Sequence, residues 1–72
     1  MIILTEKQKN ELKNILEEKE YQELIEIEEG VFDFLVELHL LIDGYMDEDY
    51  NDTKESEKLQ AIYDEIYNQN LN

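Results

Sequence analysis

The sequence predicts an all-α domain: a small three-helix bundle with a long apolar central helix, expected to pair with a second copy. Three observations carry this. Proline is absent and glycine occurs only at Gly30 and Gly44, so little interrupts a helix. The helix formers Glu, Leu, Lys and Gln are abundant. Apolar residues recur at helical spacing through most of the 72 residues. A chain this short makes one domain, residues 1–72. Its core supplies only about 3–5 kcal/mol, and small scaffolds usually add a staple. Without cysteine that staple is not a disulfide, which leaves oligomerisation as the expected one.

The first helix starts at Thr5, whose hydroxyl caps it, with Gln8 three residues on to complete a capping box. Leu12, Ile15, Leu16 and the aliphatic stem of Lys19 form its inward stripe, and the helix is expected to reach about residue 18.

Two periods compete in the middle. Phe32, Phe34, Val36, Leu38, Leu40 and Ile42 alternate as a strand would, and Glu29-Gly30 offers a hairpin turn from Ile25 and Ile27. That gives an α+β alternative. Against it, Leu24, Ile27, Val31, Phe34, Leu38, Leu41 and Tyr45 keep unbroken alternating three- and four-residue spacing across the proposed turn. The helix is preferred, with a kink or break allowed at Gly30. Phe32, Val36 and Leu40 form a second apolar strip, largely on the far side, and are the expected dimer interface.

The last helix follows Asp52 as an acid N-cap, with Glu55 at N3. Leu59, Ile62, Tyr63 and Ile66 line one face with Tyr67 at its edge, and the Asn- and Gln-rich stretch from Asn68 is expected to fray.

The charge is uneven. The formal net charge is −14, from 20 acids and 6 lysines, and residues 20–52 hold twelve of the acids and none of the lysines. Self-repulsion of this size opposes compaction. It also argues against direct contact with nucleic acid or anionic membranes, and makes a basic protein the natural partner. No apolar run approaches the roughly 20 residues that span a bilayer. Met1-Ile2-Ile3-Leu4 is too short for a signal-peptide core and lacks a basic leader. A cytoplasmic location is expected.

On one continuous helix, Glu23, Glu26, Glu29, Asp33 and Glu37 would share an edge, with neighbours about 4.5–6 Å apart along the axis. A DNA strand carries about one charge per 3.4 Å of axis. Asp43, Asp47, Glu48, Asp49 and Asp52 would extend the edge. The expected function is therefore DNA mimicry: these ten carboxylates occupy the basic surface of a DNA-binding regulator, nucleoid protein or nuclease. The alternative is an immunity- or antitoxin-like module that binds through the Phe32–Val36–Leu40 strip.

Other chemistries fit less well. Asp47, Asp49 and Asn51 match the first ligand positions of an EF-hand loop, but Asp52 stands where glycine is needed and Lys58 where the bidentate Glu belongs. His39 is the sole histidine, with Asp43 four residues on to orient it. Neither a nucleophile triad nor a phosphate-binding glycine loop is present. No enzyme, cofactor or metal is expected.

"LTEKQKNELKNILEEKEY" near the start and "KLQAIYDEIYNQN" near the end resemble the small antirepressors of the AbrB transcription regulator. The resemblance implies a helical, dimeric, acidic protein that inhibits a regulator by imitating DNA. Nuclease inhibitors and phage host-takeover proteins use the same acidic style.

Overall fold

Among the described residues four helices form, where the sequence suggested three. The computed structural model describes residues 3–27, 30–49 and 51–71. The helices are α1 (Glu6–Ile15), α2 (Glu18–Ile25), α3 (Val31–Gly44) and α4 (Lys54–Leu71). No strand occurs among the described residues, so the hairpin alternative falls.

The first helix begins as expected. Thr5 Oγ1 accepts from Gln8 N at 3.1 Å, and Gln8 Oε1 accepts from Thr5 N at 3.0 Å. It ends three residues earlier than expected. Leu16 and Glu17 are both extended, with ψ of 153°. A new helix then starts, with Glu17 N donating to Glu20 Oε1 at 3.1 Å. The turn lets Leu16 point into the core at 5% exposure, while Lys19, assigned to the inward stripe, is exposed.

The second correction lies at Gly30. α2 closes with Glu26 N donating to Gln22 O and Ile27 N to Leu24 O. The chain then reaches Gly30 at φ 153°, ψ 178°, a conformation essentially confined to glycine. Phe34 N donates to Gly30 O to open α3. The unbroken heptad spacing therefore records burial, not one helix. Leu24, Phe34 and Leu38 are buried, and Ile27, Val31, Leu41 and Tyr45 are half-buried, on both sides of the break.

The helices pack in a closed ring: α1 on α2, α2 on α3, α3 on α4, and α4 back on α1. Each turns an apolar face inward, with Leu12 from α1, Leu24 from α2, Phe34, Leu35, Leu38 and Ile42 from α3, and Leu59, Ile62 and Ile66 from α4. Leu35, off the heptad stripe, widens the buried face of α3.

The cap of α4 is Thr53, not Asp52. Ser56 N donates to Thr53 Oγ1 at 3.1 Å and Thr53 N to Ser56 Oγ at 2.7 Å. Thr53 Oγ1 also donates to Tyr45 O at 2.6 Å, pinning the end of α3 to the start of α4. The polar stretch at the other end of α4 does not fray. The helix continues to Leu71, because Asn70 accepts from Ile3 N at 2.7 Å and Gln69 and Asn70 both donate to Ile3 O.

Candidate protein-binding surface

The break at Gly30 divides the acids expected on one helical edge. Glu23 lies on α2 and Glu26 is its C-cap residue, whereas Asp33 and Glu37 lie on α3. Glu29 is outside the described residues. The regular rise proposed for these five therefore does not exist. Asp43 sits in the last turn of α3, and Asp47, Glu48, Asp49 and Asp52 occupy the connector to α4.

What remains is a set of carboxylates in water without countercharge. Glu23, Glu26, Asp33, Asp43, Asp47, Glu48, Asp49 and Asp52 are exposed and Glu37 is half-buried. Among the described residues, ion pairs to lysine are confined to α1: Lys9–Glu6 at 3.5 Å and Lys7–Glu11 at 4.0 Å. The lysines lie on α1, at the start of α2 and in the first turns of α4. Residues 20–52, which span most of α2, all of α3 and the connector, are therefore the acidic half of the chain, with twelve acids and no lysine.

Three acids of this stretch also hold the scaffold: Asp52 Oδ1 accepts from the buried Ser56 Oγ at 3.3 Å, and Glu20 and Asp47 each make two bonds. Glu20 Oε1 accepts from Tyr45 Oη at 2.5 Å as well as from Glu17 N, so it starts α2 and ties it to the end of α3. Burial first, then the Glu20 hydrogen bond and charge, push the Tyr45 phenol up to about 12. Tyr45, a member of the heptad stripe, packs half-buried against the core. In the connector, Asp47 Oδ1 accepts from Asp49 N and Asn51 N, both at 2.9 Å, and Asp47 N donates to Asn51 O. Turn closure thus occupies one oxygen of the carboxylate an EF-hand would use first. No cluster of three metal-ligating side chains occurs among the described residues.

The second strip is the other notable surface. Phe32, Val36 and Leu40 are 69%, 61% and 58% exposed. They do not fill the single-chain core. On the same helix His39 Nε2 stands 3.7 Å from Asp43 Oδ2, as its spacing suggested, and its ring centroid lies 6.3 Å from that of the half-buried Tyr63. Tyr67, placed at the edge of the core, is exposed. An open depression of about 260 Å³ between α1 and α4 is lined by Glu11, Asn14, Ile15 and Lys58. No described helix is long and apolar enough to cross a membrane.

Comparison of the chain with protein-family models, with curated proteins and with solved structures finds no match.

Proposed function

We propose that the protein is a non-enzymatic inhibitor that imitates DNA and occupies the basic nucleic-acid-binding surface of a regulator, nucleoid protein or nuclease. The observation that carries this is the exposure of eight described acids between residues 23 and 52, none within ion-pair reach of a lysine. A solvated helix selected only for stability intersperses lysines three and four residues away, as α1 does. Lysines and arginines that grip phosphates make equally good charge-assisted bonds to carboxylates. The resemblance of both terminal segments to antirepressors of a DNA-binding regulator supports the same target class. The longest dimension, 35 Å, limits the decoy to about one turn of duplex.

The test is capture of the target from the source cell's lysate, followed by competition with duplex DNA at two salt concentrations. DNA displaces the inhibitor from a shared surface, and affinity falls steeply with salt. A captured target that binds DNA and inhibitor together would refute mimicry. The exposure of Phe32, Val36 and Leu40 favours a second reading, an immunity- or antitoxin-like module whose contact is apolar and nearly indifferent to salt.

A further inference from the structure

We infer that the outer face of α3 docks an amphipathic helix of a partner, one that carries an apolar stripe flanked by lysine or arginine. The inference rests on the acidic half being a partner-binding surface and adds what sits at its centre. Phe32, Val36 and Leu40 follow one another at four-residue intervals, so the strip runs about 12 Å along the axis. It lies opposite the buried face made by Phe34, Leu35, Leu38 and Ile42, and all three side chains are more than half exposed. Together they expose on the order of 300 Å² of apolar surface, a patch size that is often functional on a small protein.

The flanks say what covers it. Asp33 and Glu37 each follow a strip residue by one position, about 100° further round the helix. Asp43 stands about one turn beyond Leu40, on the strip's own face, and closes its C-terminal end. An apolar stripe edged by acids along one flank and at its end, with no lysine on the helix, is complementary to an apolar stripe edged by bases, and charge complementarity of this kind fixes register and orientation. A second copy of this chain is the wrong complement. It would bring another −14 and set Asp33, Glu37 and Asp43 against their equals. The strip alone is also well short of the roughly 800 Å² per partner of a standard interface. A basic helix gains from the same acids that a second copy would suffer from, and residues four apart on α3 present a ridge of the kind that packs against a partner helix.

The experiment uses the full chain and two synthetic peptides of identical composition. One is an amphipathic helix with a leucine stripe flanked by lysines; the other is its scramble. The amphipathic peptide is expected to bind at least tenfold more tightly at moderate salt. Phe32→Ser with Val36→Ser removes that preference and keeps the salt dependence, because both positions are exposed and the fold survives, as circular dichroism checks. Asp33→Lys with Glu37→Lys flattens the salt dependence. Equal binding of the two peptides, or a preference that survives Phe32→Ser/Val36→Ser, overturns the docking site while leaving the decoy reading intact. Preference lost only in the serine variant, with no effect of charge reversal, overturns the basic partner at this face, whereas the decoy reading stands or falls on the DNA competition. Sedimentation as a dimer that the serine pair dissolves assigns the face to a second copy and overturns the proposal.

Discussion

The side-chain amides of Gln8 and Gln69 exchange hydrogen bonds, Gln8 Nε2 to Gln69 Oε1 at 2.8 Å and Gln69 Nε2 to Gln8 Oε1 at 3.1 Å. Gln8 is 2% exposed, also donates to Glu65 and accepts from Thr5 N, so one buried residue both caps α1 and fastens it to α4. Gln8→Ala is expected to cost about 2 kcal/mol, combining a lost cap with stranded polar partners. Gln69→Ala spares the Thr5 box and is expected to cost about 1 kcal/mol. Urea midpoints of the two variants check the order.

Tyr45 makes stability sensitive to alkali. Its phenol titrates near 12 in the folded chain against 10.0 for the free group. The folded state therefore holds the proton more tightly, and this contribution is complete below pH 10 and lost as pH rises toward 12. Absorbance titration of the protein against Tyr45→Phe is expected to assign an ionisation above pH 10 to Tyr45. Tyr45→Phe removes that late step and costs about 1 kcal/mol at neutral pH through the lost bond to Glu20.

Leu38 and Leu40 are two residues apart on α3 and should respond oppositely. Leu38 is fully buried, so Leu38→Ala is expected to cost about 3 kcal/mol, most of what a core this size provides. Leu40 is exposed, and Leu40→Ala is expected to change stability by less than about 0.5 kcal/mol. Thermal melts of both variants make the comparison.

Gly30→Ala isolates backbone strain. No atom lies within 4 Å of where a Cβ would sit, so nothing clashes. The φ of 153° alone is unfavourable for any L side chain, and the expected loss is about 1–3 kcal/mol. A stable variant with unchanged helix content would show that the loop relaxes at little cost.

Salt should stabilise the protein. Uncompensated acids of α2, α3 and the connector repel one another, and a Debye length near 10 Å at 0.1 M screens that repulsion. The melting temperature is expected to rise between about 0.01 and 0.15 M salt. Asp33→Lys with Glu37→Lys, which lowers the negative charge of α3, is expected to show a smaller rise.

Features confined to a few neighbouring residues were readable in advance. Thr5 and Gln8 form the expected box, and Leu59, Ile62 and Ile66 are buried as their spacing predicts. The breaks were not. Apolar spacing tells which side chains meet the core, and Ile27 before the break at Gly30 and Val31 after it both meet it. Continuity of phase therefore imitated continuity of helix. The cap of α4 shifted from Asp52 to Thr53 because Ser56, a buried polar residue of ordinary appearance in sequence, completes the reciprocal pair. Ties such as Glu20–Tyr45 and Ile3–Asn70 join residues far apart in sequence, and composition carries no sign of them. The concentration of acids was evident from the start; their division between two helices was not.

Charge is unevenly distributed over the ring of helices: the lysines lie on α1 and the early turns of its neighbours, whereas twelve of the twenty acids lie between residues 20 and 52. Such a body behaves as a compass needle in an external field. Near any strongly positive object it feels a torque before it feels a contact, so tumbling is biased and the productive orientation is sampled more often than chance allows. Encounter would then be fast even when the final grip is weak.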